Sequence, residues 1–368
     1  MKETPIASAW SDSFVGKRSR LKRYLVCSMN GYFPVAVQTG PDSLAAVVRT
    51  EAPHIGIMGA LAVTTSADGG RSWSDLVPVR PRGRDVRNPA FGANGRSQLI
   101  VAYWEAAVQH YEQDEEGLDW RYVAHIREGQ QEAPAVFTCV SADGGCTWGE
   151  PRPYVSGLLT LASPYGRIIS AADGALYLPL YGYARQGSSA TEELSLLVRS
   201  PDDGESWGDE SPVARGYNET SFAFLPDGAL VAAARSTSGH VAILHSTDQG
   251  RTWSDPVQVT RDGEHPADLT VLQSGQLLLT FGRRIRPLGC GALLSADGGR
   301  TWRREREVLL AGDGIENQDL GYPSTVQLAD GHIVTLLYFA SGCDPSEDWH
   351  GWGKVSCQAI HYQEQDIA

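Results

Sequence analysis

The stretch SADGGRSWSD, residues 66–75, recurs with small changes as SADGGCTWGE (141–150), SPDDGESWGD (200–209), STDQGRTWSD (246–255) and SADGGRTWRR (295–304). In each copy a serine, an aspartate and glycine make a tight turn, because Asp accepts hydrogen bonds from nearby backbone amides and Gly takes positive φ. The tryptophan stands at a fixed offset, which suits a large apolar ring folded back under its own hairpin. Taken singly, each copy is a structural turn. Five copies mark an array of like supersecondary units.

A second repeat lies between these turns: an apolar run, a D-G-like turn and another apolar run. It occupies residues 32–49 (YFPVAVQTGPDSLAAVVR), 88–104, 165–183 (YGRIISAADGALYLPLYGY), 219–235, 266–284 and 322–339. Each of the first five hairpins is followed by a third strand, one of the five turns and a short outer strand. Four strands repeated six times predict an all-β, six-bladed β-propeller spanning 1–368 as one domain, with the first hairpin of each unit nearest the axis. The sixth unit lacks the turn. KVSCQAIHY ends it, and RYLVCSMN from the N-terminal region is expected to complete that blade and close the ring, which removes exposed strand edges.

Composition agrees. The chain has 368 residues, 40 of them glycine, and its apolar runs are short and rich in Val, Ile, Leu, Ala and Tyr. No run approaches the roughly 18 apolar residues of a membrane span, and MKETPIASAW lacks a charged-then-apolar leader. A cytoplasmic protein that does not engage membranes is expected, although a secreted chain trimmed of its signal reads the same. A net charge of −13 argues against a nucleic-acid partner; GKRSRLKR (16–23) reads as a solvated edge. Cys27, Cys139, Cys146, Cys290, Cys343 and Cys357 show no C-x-x-C spacing and read as reduced core thiols, so neither a metal nor another cofactor is expected. Oligomeric state is not legible.

Topology sorts residues by face. In an up-and-down blade the D-G turns and the five SADGG-type turns share one end of the barrel. Strand starts and the ends of second strands share the other. That second end collects Phe33, Asp85, Arg87, Tyr165, Asn218, Glu219, His265, Asp268 and Tyr322, with Arg49, Trp104, Tyr181, Arg235, Arg283, Arg284 and Tyr338. Titratable and aromatic groups dominate it, so function is expected there. The turns commonly recur at roughly 50 residues, as propeller repeats do, but the second unit is longer. Its insertion, 105–133, joins strands two and three and is expected to lie over the functional mouth as a lid, a binding loop or a disordered acidic flap.

The five turns resemble the Asp-box of sialidases, and the six-blade count is similar to the sialidase fold. NETSFAFLPDGALVAAARS resembles the segment carrying the glutamate of the catalytic pair and an arginine of a carboxylate-binding triad, implying Glu219 and Arg235. GYPSTVQLADGHIVTLLYF resembles the segment of the catalytic tyrosine, implying Tyr322. FGRR ahead of a turn is similar to the region of the third arginine, implying Arg283 or Arg284, of which alternation turns one outward. The resemblance implies a retaining exo-glycosidase releasing a terminal acidic sugar. A phenol is a poor nucleophile until a carboxylate takes its proton, and arginines suit a substrate carboxylate because they bind it bidentately.

Two positions depart from the family pattern. Tyr32-Phe33-Pro34 stands where an F/Y-R-I-P stretch would supply the first arginine; Arg49 is the expected replacement. RTEAPHIGIMG carries no acid/base aspartate, leaving His54 or Asp85 as the general acid. Plainer readings stay open: Tyr322 filling the channel, Glu219 in a structural pair with Arg235, His54 as a loop residue. Two other functions also stay open: a hydrolase of another glycan using His54, and a non-catalytic carbohydrate-binding propeller. The catalytic candidates are therefore Tyr322, Glu219, His54 and Asp85. The binding candidates are Arg49, Arg235, Arg283, Arg284, Arg87, His265, Asp268 and Tyr181.

Overall fold

The computed structural model describes residues 17–18, 21–28, 30–52, 54, 59–80, 84–106, 111–113, 120–122, 135–185, 192–312, 318–341 and 354–368. Six antiparallel sheets form a ring. Blade 1 is Tyr32–Gly40, Ser43–Thr50, Ala60–Ser66 and Val77–Pro78; blade 2 is Asp85–Ala93, Leu99–Ala106, Ala135–Ser141 and Arg152–Tyr154. Blade 3 is Leu159–Pro164, Leu176–Ala184, Glu193–Ser200 and Gly208–Arg215; blade 4 is Tyr217–Phe224, Leu230–Ser236, Val241–Ser246 and Val257–Gln258. Blade 5 is Glu264–Val271, Leu277–Arg283, Gly289–Ser295 and Val308–Ala311. Blade 6 is Gly321–Gln327, Ile333–Ser341 and Lys354–Tyr362, completed on its outer edge by Lys22–Cys27 pairing antiparallel with Lys354–Tyr362. The N-terminal strand thus closes the ring as expected.

Blade 3 differs from the sequence reading. Its inner strand begins at Leu159, not at Tyr165, and breaks there: Gly166–Arg167 pairs in parallel with blade 2, and Ile169–Ser170 rejoins blade 3. Gly166, at φ +71°, makes the break possible. Of the insertion 105–133, the described residues comprise Glu105 and Ala106, which end a blade 2 strand, and a two-stranded antiparallel hairpin, Tyr111–Gln113 with Trp120–Tyr122. The rest lies outside the described residues, as do most of the His54 loop and Cys343. Cys27, Cys139, Cys290 and Cys357 are buried free thiols, whereas Cys146 is exposed, because it sits at the tip of a turn rather than in the core.

The core is divided among the joints between consecutive blades, and the five turns seal five of them. In the first turn Gly70 N donates to Ser66 Oγ at 2.8 Å, Ser66 Oγ to Asp68 Oδ1 at 2.8 Å, Ser72 N to Asp68 Oδ1 at 2.9 Å, and Ser72 Oγ to Asp68 Oδ2 at 2.6 Å. The same bonds recur around Asp143, Asp202, Asp248 and Asp297. Each tryptophan then packs into the joint between its own blade and the preceding one, as Trp253 does beside Phe222 of its own blade. Trp73 joins the cluster between blades 6 and 1, Trp148 that between 1 and 2, Trp207 that between 2 and 3, Trp253 that between 3 and 4, and Trp302 that between 4 and 5. The reason is exposure: the apolar face left open beside each turn belongs to the neighbour. In the remaining joint, between blades 5 and 6, the C-terminal helix Glu364–Ile367 substitutes. Ile367 is buried in that cluster, and Glu364 accepts from Ser274 Oγ at 2.8 Å and Gln276 Nε2 at 2.5 Å.

The turns lie at the end of the barrel away from the strand starts: a Cβ on Gly69 would meet Leu328, just past the far end of the strand that Tyr322 begins. Two outcomes follow for stability. Gly250 has φ +77°, and a Cβ there would stand 2.9 Å from Leu197 Cδ1 and 3.2 Å from Arg199 Nη2 in blade 3. Gly250→Ala should therefore cost about 1–3 kcal/mol in urea unfolding. The Ser72 hydroxyl holds the Asp68 carboxyl down at about 2, and the Thr147 hydroxyl does the same for Asp143, against 3.8 for a free side chain. Folded values below unfolded ones stabilise fully above about pH 4, and the effect is lost as pH falls towards 2. Thermal unfolding should shift downward across that window, and more shallowly in an Asp68→Asn, Asp143→Asn variant.

Candidate active site

The six inner strands share one irregularity. Each shifts register near its start, at residues 33–34, 88–89, 161–162, 218–219, 265–266 and 322–323. Phe33, Asn88, Leu161 and Tyr322 take positive φ there, between 48° and 51°. Bulges re-aim side chains, and this ring of six surrounds the mouth of the channel. A cleft of about 370 Å³ opens there, lined by Phe33, Asn88, Tyr165, Glu219, Asp268 and Tyr322.

Tyr322 and Glu219 meet across the axis. The Tyr322 hydroxyl donates to Glu219 Oε1 at 2.7 Å, and Arg235 Nη1 donates to Glu219 Oε2 at 2.6 Å. Burial and the Glu219 charge push the Tyr322 phenol above its ordinary pKa, while Arg235 and Arg284 oppose the shift. The Arg284 guanidinium lies 5.8 Å from the Tyr322 ring centroid. Arg284 Nε and Nη2, Arg235 Nε and His265 Nδ1 have no hydrogen-bond partner among the described residues. Burial, then the Arg235 and Arg284 charges, lower His265 to about 2, so its imidazole is neutral.

On the other side of Tyr322 stands His54. Its Nδ1 bonds Asp319 Oδ1 at 2.7 Å, and the Tyr338 hydroxyl donates to the same oxygen at 2.6 Å. The His54 ring meets Phe33 edge-on at 4.8 Å, and Phe33 meets Tyr322 edge-on at 4.7 Å. Burial opposes ionisation of Asp319, yet His54, Tyr338 and Arg284 together hold its carboxyl below the usual range.

Other candidates sit in the wall. Position 49 in blade 1 and position 283 in blade 5 are equivalent, each facing the residue just before the bulge, and both arginines are fully buried. Arg49 Nη2 donates to Asp85 Oδ1 at 3.1 Å and Arg49 Nη1 to the His54 carbonyl at 3.2 Å. Asp85 is itself fully buried between Arg49 and Arg87. Arg49 thus holds the His54 backbone and Asp85, and Asp85 is engaged by two arginines. Arg283 is enclosed by Glu264 and Glu307, with Arg304 also bound to both carboxylates. Arg284 and Arg235 lie one residue to either side of this equivalent position, at 283 and 236 respectively, and alternation turns both the other way.

Arg87 lies over Trp104 at 5.7 Å and bonds Asp85. Tyr181 accepts from Asn88 Nδ2 at 2.9 Å. Asp268 reaches the cleft but is consumed by its floor: it accepts from Arg167 Nη2 at 3.0 Å, Ser221 Oγ at 3.0 Å and Thr325 N at 2.7 Å. Asp319 and Asn88 were missed by the sequence reading. Asn88 carries a signal in retrospect, since Phe33, Asn88, His265 and Tyr322 each precede a proline at the bulge; Asp319 lies three residues ahead of Tyr322. Among the described residues no group of three His, Cys, Asp or Glu is placed to hold a metal, and no helix is long and apolar enough to cross a membrane.

The family model described as BNR repeat-like domain matches residues 120–335. A sialidase of Bacteroides fragilis is 23% identical over 313 residues, covering 76% of this chain and 54% of that protein, so the chain spans about half of that relative's length. Among solved structures, a Dyadobacter fermentans protein of unknown function superposes with a TM-score of 0.75 at 20% identity, over 94% of this chain and 98% of that one. A Hadza microbial sialidase superposes with a TM-score of 0.69 at 19% identity, over 93% of this chain and 67% of that one. The matched repeats, the six blades and these likenesses together place the chain in the BNR repeat-like family, as a sialidase-like member of that superfamily.

Proposed function

We propose that the protein is a retaining glycoside hydrolase that releases a terminal acidic sugar, with Tyr322 as nucleophile. The observation that carries this reading is the 2.7 Å bond from the Tyr322 hydroxyl to Glu219. Phenol and carboxylate come from blades 6 and 4, and their alignment supplies what a phenol of raised pKa needs, a base in contact with its proton. In the first step the Tyr322 oxygen bonds to the anomeric carbon and its proton passes to Glu219 Oε1. The glycosidic C–O bond breaks, and the leaving oxygen keeps the electron pair and takes a proton from His54. In the second step water attacks the same carbon, its proton returns to His54, and the Tyr322 oxygen leaves with the electron pair and recovers its proton from Glu219.

Arg235 and Arg284 are the carboxylate readers in this scheme, because both lie beside the cleft and carry N–H groups without a partner among the described residues. His265, being neutral, adds a hydrogen-bonding group but no charge. Phe33, where a third guanidinium might have stood, presents an apolar edge to Tyr322.

Tyr322→Phe should lower kcat on an aryl glycoside by at least about a thousandfold, near 4 kcal/mol of barrier, with unfolding midpoint unchanged. Activity within tenfold of wild type removes Tyr322 from the chemistry. The two adjacent arginines should separate cleanly. Arg284→Met should reduce kcat/KM about 10- to 150-fold on an acidic aryl glycoside, the worth of a charge-assisted bond, and far less on the carboxylate-reduced analogue. Arg283→Met should instead cost about 3–5 kcal/mol of stability by leaving Glu264 and Glu307 under-compensated. If wild type hydrolyses the neutral analogue equally well, the acidic-sugar assignment gives way to a hydrolase of another glycan.

A further inference from the structure

We propose that Asp319 is a positioning residue that makes His54 the proton donor of the site. The chemistry rests on the glycosidase reading above; the arrangement of the two side chains does not.

His54 is held at two points. Arg49 Nη1, fixed by Asp85, holds the His54 carbonyl at 3.2 Å, and Asp319 holds Nδ1 at 2.7 Å. Between these anchors the imidazole is 16% exposed, with Phe33 against its face and Tyr322 beyond, ring centroids 6.3 Å apart. With Nδ1 committed to a carboxylate, the proton available for transfer is the one on Nε2.

Asp319 is fully buried, yet the His54 ring, the Tyr338 hydroxyl at 2.6 Å and the Arg284 charge all favour its anion. A buried carboxylate in contact with an imidazole favours the imidazolium. Among the described residues His54 also meets the rings of Tyr32, Phe33, Tyr322 and Tyr338, and the Arg49 guanidinium, paired with Asp85, holds its carbonyl, so Asp319 is the carboxylate in contact with its ring. As the glycosidic C–O bond breaks, the leaving oxygen keeps the electron pair and receives the Nε2 proton. The imidazole becomes neutral and takes a proton back from water in the second step. Asp319 stays ionised throughout.

The test is Asp319→Asn, read by NMR titration of His54 and by aryl glycosides of good and poor leaving groups. The His54 titration should move to lower pH in the variant. kcat/KM on the poor leaving group should fall about a hundredfold, the low end of general acid catalysis, with less than about fivefold loss on the good one. An unmoved His54 titration in folded protein, or equal losses on both substrates, overturns the proposal. If wild type cleaves no glycoside, the hydrolase reading fails while the titration still decides the dyad. Should the variant not fold, the wild-type protein suffices. Long-range ¹⁵N–¹H spectra should place the proton of neutral His54 on Nδ1, and a proton on Nε2 instead overturns the pairing with Asp319.

Discussion

A four-stranded sheet with two apolar faces cannot stand alone in water, and the six joints between blades are the constraint on which this molecule depends. Each joint is filled by side chains from two neighbouring sheets and capped at one end by a wedge, five times a tryptophan and once Ile367. Wedging from one end drives the inner strands together along the axis. There Asp268 in blade 5 ties itself to Arg167, to Ser221 in blade 4 and to Thr325 in blade 6. The cleft rests directly on that floor. Groups from blades 1, 4, 5 and 6 can therefore meet within hydrogen-bond distance without any one blade having to bend.

Much of this was legible in the sequence because it repeats. The six hairpins counted the blades, the five turns fixed the strand order, and the order separated the two ends of the barrel, which is enough to bring Tyr322 and Glu219 to one mouth. What was not legible depends on register. A two-residue bulge at the start of every inner strand resets which side chains face the axis, and Arg49 looks like a mouth residue until its pairing with Tyr32 is known. The same holds for Arg283, opposite Glu264. Asp319 escaped notice for a different reason: it precedes its strand, outside any repeat, and only the fold brings it to His54. The tryptophans were assigned to the correct end, and only their second wall was not legible, because a sequence shows a hairpin but not the neighbour that lies against it.

The arginines near the mouth divide by burial. Arg49 and Arg283 are enclosed with acidic partners at zero exposure, where a guanidinium is tolerated only when its charge and its donors are matched. Arg235 is part exposed beside Glu219, and Arg284 keeps donors unfilled among the described residues. In an acidic protein this is how a local anion site is made: most cations are neutralised in the walls, and two are left under-neutralised at one place. Long-range attraction for an anion is then weak, and recognition is confined to contact range.

The way the ring is fastened bears on the order in which it can be built. Trp73 needs blade 6 beside it, yet that blade consists of residues 321–362 and the strand Lys22–Cys27. As the chain leaves the ribosome, blades 2 to 5 can each dock on a finished neighbour. Blade 1 must meanwhile keep one apolar face uncovered, and the Lys22–Cys27 strand must stay unpaired until Lys354–Tyr362 emerges. The last turn of helix then seals blade 6 to blade 5. The seam of the ring is thus its slowest and most aggregation-exposed part, and a nascent chain halted before residue 354 would carry two open joints rather than one.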